Sequence, residues 1–158
     1  MQLMTIGGVN APTCGSLGGA AWLAAATDMA APVPVAQSAS GEPLDLAGRV
    51  VLICEDEPLI AYDIASSVED AGGEVLGPFA AVADALAALD GVLPNLAVLD
   101  VNLLDGDVTP VLQNLVASGV PVVVNTGTKL PDEAIDLGVP VFFKPTEPAT
   151  LIAAIFAQ

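Results

Sequence analysis

The chain has 158 residues, 54% of them apolar, and a formal net charge of −16 from nineteen acidic and three basic side chains (Arg49, Lys129 and Lys144). That length suits one domain with a sizeable core, and that charge excludes nucleic acid and anionic lipid as direct partners, because such a surface repels phosphate. Histidine is absent, which removes Ser-His and Cys-His nucleophile pairs, histidine metal ligands and a phosphohistidine carried by the chain itself.

The first 47 residues are rich in Ala, Gly, Pro and Ser, and their only charges are Asp28, Glu42 and Asp45. Residues 17–31 could form a helix around Trp22 and Leu23, but little else nearby is large enough to build a core, so a disordered arm is expected over residues 1–47. The apolar stretch Ala20 to Ala26 is too short to span a bilayer, and no basic residue precedes it as a secretory signal would require. The expected location is the cytoplasm, with no membrane contact. Cys54 ends an apolar run and is expected to be a buried small hydrophobe, and two cysteines as far apart as Cys14 and Cys54 define no disulfide framework.

From Gly48 the pattern turns regular, and a single domain over residues 48–158 is expected. A continuous apolar run through Cys54 predicts a parallel strand buried on both faces. Pro58 suits a first helical turn; Ile60, Ile64, Val68 and Ala71 follow at helical spacing up to Gly72-Gly73. Glu74 to Gly77 predicts a second strand. Val82, Leu86 and Leu89 predict a second helix closed by Gly91. Leu96 to Leu99 is the third strand, and Thr109-Pro110 opens a third helix that Gly119 stops. Val120 to Val124 predicts the fourth strand, Asp132 to Leu137 a short helix, and Val139 to Phe143 the fifth strand. Thr146 is expected to cap a last helix carrying Leu151, Ile152, Ile155 and Phe156. Five strands alternating with helices predict a doubly wound α/β domain with helices on both faces of a parallel sheet.

In such sheets ligands sit beyond the carboxyl ends of the strands. Glu55, Asp56 and Glu57 follow the first strand; Asp100, Val101 and Asn102 the third; Asn125, Thr126, Gly127 and Thr128 the fourth; Lys144 and Pro145 the fifth. Crowded carboxylates repel one another, and a divalent cation relieves that repulsion. Oxygen ligands without His or Cys favour Mg²⁺. Asp100 is placed to attack phosphorus as a carboxylate nucleophile, with Lys144 and the Thr126 hydroxyl stabilising the transferred phosphoryl oxygens. Glu57, Asp105 and Asp107 read instead as helix caps or solvated loop acids, and Lys129 as a surface charge.

The segments Val-Leu-Ile-Cys-Glu55-Asp56-Glu-Pro, Leu-Asp100-Val-Asn102-Leu, Asn-Thr126-Gly and Phe-Phe-Lys144-Pro145 resemble the four signatures of response-regulator receiver domains, in their usual order over roughly two thirds of the chain. The resemblance implies a flavodoxin-like sheet with strand order 2-1-3-4-5. It implies Asp100 as phosphoacceptor, and Glu55, Asp56, Asp100 and the Asn102 backbone carbonyl as the Mg²⁺ site. Thr126 and Lys144 would bind the phosphoryl group, and the peptide bond before Pro145 would be cis, helping to aim Lys144 inward.

Thr126-Gly127 with only a short fourth helix resembles the "FATGUY" receivers, although Val124-Asn125 replaces the Phe-Ala of that subfamily. Val141 stands where many receivers carry a switching aromatic residue, and Thr146 where Phe is common. The reading is a single-domain response regulator taking a phosphoryl group from a histidine kinase or a histidine phosphotransfer protein, not a multiple-turnover enzyme. Since no further output domain follows the last helix, output is expected by contact with a downstream protein, or the module acts as a phosphate sink. Two alternatives share parts of the pattern: a haloacid-dehalogenase-type phosphatase, and a pseudo-receiver that binds partners without being phosphorylated.

Overall fold

The computed structural model describes residues 44–157; the arm expected over residues 1–47 lies, up to residue 43, outside the described residues. Five parallel strands form the main sheet: β1 (Val50–Cys54), β2 (Glu74–Phe79), β3 (Leu96–Leu99), β6 (Val122–Thr126) and β7 (Val141–Phe143). They lie in the order β2-β1-β3-β6-β7, which is 2-1-3-4-5 when only the strands of this sheet are counted. Between β3 and β6 a two-stranded antiparallel hairpin, β4 (Asn102–Leu103) with β5 (Gly106–Asp107), was not foreseen from the sequence. The helices are α1 (Pro58–Asp70), α2 (Val82–Leu89), α3 (Thr109–Ala117), the single turn α4 (Asp132–Ile135) and α5 (Pro148–Phe156). Among the described residues no helix is long and apolar enough to cross a membrane.

Alternation along the strands builds two cores. Val51 and Ile53 of β1, with Leu96 and Val98 of β3 and Val123 of β6, pack on Ile64 and Val68 of α1 and Leu151, Ile152 and Ile155 of α5. Leu52, Cys54, Ala97 and Leu99 turn the other way, onto Ala85 of α2 and Val111, Leu112 and Leu115 of α3. β1 and β3 are apolar at every position because both of their faces are covered. Burial pushes the Cys54 thiol up to about 12, so it stays a neutral packing group.

Leu46 lies ahead of the composition change, yet it is fully buried in the α1/α5 core and its N–H donates to the Ala71 carbonyl at 2.7 Å. The packed unit therefore takes in residues before Gly48.

Several boundaries differ from expectation: β7 begins at Val141 rather than Val139, and α4 ends at Ile135 rather than Leu137. β2 continues past Gly77 to Phe79 through a cis Gly77-Pro78 peptide. β6 begins at Val122 and ends at Thr126, because Asn125 and Thr126 pair with Phe142 and Phe143 of β7. Thr146 does not cap α5: its hydroxyl donates to the Phe143 carbonyl at 2.9 Å, Glu147 holds the cap position without a side-chain bond, and Pro148 sets the first turn.

Helix α2 is capped from a distance. Ala81 precedes it and offers no side-chain acceptor. Asp105, in the turn between β4 and β5, takes the Val82 N–H at 2.6 Å and the Ala83 N–H at 3.0 Å on its two carboxylate oxygens. The bonds from Ala83 and Val82 hold its carboxyl below the usual range. A depressed carboxyl stabilises the fold above its unfolded pKa and loses that contribution as pH falls through the folded value. Asp105→Ala therefore lowers the melting temperature by a few degrees at neutral pH, and the gap to the parent closes in acid below the ordinary Asp range; melts followed by circular dichroism check both. A gap that stays constant with pH would show that the carboxylate charge contributes nothing. Asp107 acts locally on α3, accepting the Thr109 N–H at 2.9 Å, whereas Glu57, at the N-cap position of α1, makes no side-chain cap bond.

Candidate functional site

The carboxyl ends of β1, β3 and β7 meet at one edge of the sheet, and ladder bonds fix the backbone of the residues that leave them. Glu55 N donates to Phe79 O at 2.9 Å, Asp100 N to Cys54 O at 2.8 Å and Lys144 N to Thr126 O at 2.9 Å. These anchors converge their side chains. Lys144 Nζ donates to Glu55 Oε1 at 2.7 Å and to Asp100 Oδ2 at 2.6 Å. Glu55 and Asp100 are 3% and 6% exposed, so both ion pairs sit out of bulk water, where attraction is strong and an unpaired charge is costly.

Asp56 completes the acidic group. It is half-buried, and one oxygen each from Glu55, Asp56 and Asp100 lies within 4.8 Å of the others. Fully ionised, the three carboxylates exceed the one ammonium by two charges. Burial raises the Glu55 carboxyl above its ordinary value, Lys144 pulls it back by hydrogen bond and charge, and nearby Asp100 pushes it up again, for a net rise. Burial pulls the Lys144 ammonium down, but its bonds to Asp100 and Glu55 outweigh that and hold it above its ordinary value. The donor set is all oxygen, clustered, and negative in excess, which fits a hard divalent cation such as Mg²⁺.

The remaining residues singled out from the sequence are placed less uniformly. The Lys144-Pro145 peptide is cis. Thr126 is fully buried at the end of β6, and its hydroxyl engages Thr128 rather than capping α4: the Thr128 N–H donates to it at 3.2 Å and the two hydroxyls lie 3.3 Å apart. The Asn102 amide donates to Thr128 Oγ1 at 2.7 Å, and its backbone N–H approaches Asp100 Oδ1 at 3.4 Å. Thr128 thus ties the loop after β3 to the loop after β6, a role sequence reasoning missed. Its signal was present as two hydroxyls either side of Gly127, directly after a strand. Val141, half-buried in β7, pairs with Val124.

No protein-family model and no curated protein matches the chain. Solved structures do. The signal receiver domain of a modulated diguanylate cyclase from Desulfovibrio desulfuricans G20 is 25% identical over 69% of this chain and 91% of its own, with a TM-score of 0.62. A response regulator receiver protein from Sinorhizobium medicae WSM419 is 25% identical over 69% and 92%, with a TM-score of 0.60. The response regulator PhyR from Brucella abortus is 30% identical over 75% of this chain but only 50% of its own, with a TM-score of 0.59. Sheet order, the acidic edge with its lysine, and these likenesses agree: the chain carries a response-regulator receiver domain, the signalling module of two-component systems.

Proposed function

We propose that Asp100 accepts a phosphoryl group from the phosphohistidine of a histidine kinase or a histidine phosphotransfer protein, with Mg²⁺ held by Glu55, Asp56, Asp100 and the Asn102 backbone carbonyl. The observation that carries this reading is Lys144 bridging Asp100 and Glu55 at 2.6 and 2.7 Å inside an acidic cluster. Bound there, the cation would offset the excess negative charge that opposes approach of a phosphate. An Asp100 carboxylate oxygen forms the new bond to phosphorus, the phosphorus–nitrogen bond of the donor breaks, and the electron pair leaves with the imidazole, which takes up a proton. Lys144, already on Asp100, is positioned to follow the charge onto the phosphoryl oxygens. The Thr126 hydroxyl would trade its contact with Thr128 for one of those oxygens, biasing the loop that carries Thr128.

Signalling then runs through contact with a downstream protein, or the domain competes for phosphoryl groups as a sink. Thr126-Gly127 with the single-turn α4 keeps the FATGUY receivers as the subfamily likeness within this proposal. The phosphatase alternative calls for its nucleophile after the first strand and a second acid two residues on. Asp100 follows β3, and residue 102 is Asn.

The test is intact mass after incubation with acetyl phosphate. The parent chain gains one phosphoryl group with Mg²⁺ and none with chelator, and Asp100→Asn gains none in either case. Equal gain by the parent and Asp100→Asn would refute the assignment. No gain by the parent, with no Mg²⁺-dependent rise in melting temperature, would favour the pseudo-receiver.

A further inference from the structure

Behind Lys144, on the α1/α5 side of the sheet, lies a cavity of about 390 Å³ whose chemistry the phosphoacceptor reading does not use. Its walls include Ile60, Ile64 and Pro148, its rim carries the exposed acids Glu57 and Asp63, and Asn125 also lines it. Four polar or charged residues are buried among the described ones: Glu55, Asp100, Thr126 and Asn125. The first three are bonded within the acidic edge and its loops. Asn125 is not. Strand alternation turns it away from Thr126, to the face of Val123, and at 2% exposure its Oδ1 has no hydrogen-bond partner among the described residues. A buried amide left unpaired costs stability, and such a cost marks a group kept for a ligand or a strained site. Nothing polar holds the amide in one orientation, so a half-turn about its last torsion can present either oxygen or nitrogen to the cavity.

We propose that this cavity receives the cationic side chain, Arg or Lys, of a partner protein. The acidic rim selects a cation, the Ile60, Ile64 and Pro148 walls suit an aliphatic stem, and Asn125 Oδ1 accepts from the head group. The volume suits a side chain rather than a secondary-structure element. The cation must come from another molecule. The chain has three basic residues, and each is placed elsewhere: Arg49 lies over the Phe156 ring at 5.0 Å, Lys129 lines a different cavity, and the Lys144 head group is taken by Glu55 and Asp100. A net charge of −16 draws basic partners to the surface at large; the cavity gives one of their side chains a defined seat. The proposal does not rest on phosphorylation of Asp100, and its test is run on unphosphorylated protein.

Butylguanidinium is titrated into the isotopically labelled full chain with Mg²⁺ saturating the acidic edge, and shifts are read at the Asn125 side-chain amide and the Ile60 and Ile64 methyls. A saturable shift with a millimolar midpoint is expected, with none from butyrate or butanol. Asn125→Leu loses the saturable shift at Ile60 and Ile64 while its melting temperature rises by a few degrees, since an unpaired amide gives way to an apolar side chain. Asp63→Asn, an exposed change that leaves the core intact, weakens the midpoint by about threefold. Equal shifts with butanol or butyrate, an unchanged midpoint in Asp63→Asn, or shifts confined to Glu55, Asp56 and Asp100 would overturn the assignment. So would micromolar binding of the free probe, which would mark a small-molecule site, and so would no shift at all, which would leave Asn125 facing only water.

Discussion

Lys144→Met loses about 3 kcal/mol of folding stability at neutral pH, the cost of leaving two buried carboxylates without their shared cation. Lys144 is itself only 16% exposed at the side chain, and Glu55 1%, so water makes up little of the loss. The pH dependence follows from two raised groups. Lys144 is held above its ordinary value, so its contribution is complete below the unfolded lysine pKa and disappears only in strong alkali as pH rises through the folded one. Glu55 is raised as well, so its ionisation already costs the parent stability as pH climbs from the unfolded Glu pKa to the folded one. Without the ammonium that pulls it down, Glu55 rises further. The deficit of Lys144→Met is therefore largest at neutral pH and shrinks in mild acid, where protonation removes the repulsion. Mg²⁺ should raise the melting temperature of the variant more than that of the parent, because a divalent charge does part of the missing ammonium's work. Urea titrations at neutral and mildly acidic pH, with and without Mg²⁺, measure all three effects. A pH-independent deficit, or one that Mg²⁺ leaves untouched in both proteins, would show that the three carboxylates do not form one electrostatic unit.

The sequence showed the frame of this site because its strands are buried on both faces. Val51 to Cys54 and Leu96 to Leu99 have no polar position to blur their ends, so Glu55 and Asp100 stand out as the first charges after an apolar run. Lys144 was legible for the opposite reason, being one of three cations in a strongly acidic chain. What stayed hidden depends on contacts between segments far apart in sequence. Asn125 and Thr126 read as loop residues, since no pattern in β6 reports that Phe142 and Phe143 will extend its ladder. Asn125 was consequently grouped with the strand-end residues, although alternation sends its side chain to the other face. Thr128 gained its role only when the β3 and β6 loops came within reach of each other. Thr146 does not form the cap its position suggests, because its hydroxyl finds a carbonyl three residues back and Pro148 starts the helix alone.

The sequence pattern ends a strand at Gly77, and the structure makes that glycine a steric requirement of the site. Its φ is +111°, a conformation that side-chain-bearing residues rarely adopt. A Cβ there would lie 2.8 Å from Ile53 O and 2.9 Å from Phe79 N, both backbone atoms that no rotamer change can move aside. Gly77→Ala is therefore expected to cost roughly 3 kcal/mol, strain and clash acting together, or about 12 °C in melting temperature for a domain of this size. The damage should reach the acidic edge. Relief of the clash pushes β2 away from β1 at the point where their register already shifts, between Leu52 and Cys54. The Phe79 carbonyl that fixes the Glu55 N–H lies two residues beyond the substitution. Mg²⁺ binding, followed by the metal-induced rise in melting temperature, should weaken in Gly77→Ala. Gly91→Ala is the control: the nearest atom to its new Cβ is Ala88 O at an ordinary 3.7 Å, so stability should stay within about 0.5 kcal/mol of the parent and the Mg²⁺ response should not change. A Gly77→Ala protein as stable as the Gly91→Ala control would mean that β1 and β2 can part without cost, and that the Glu55 backbone is not anchored through Phe79.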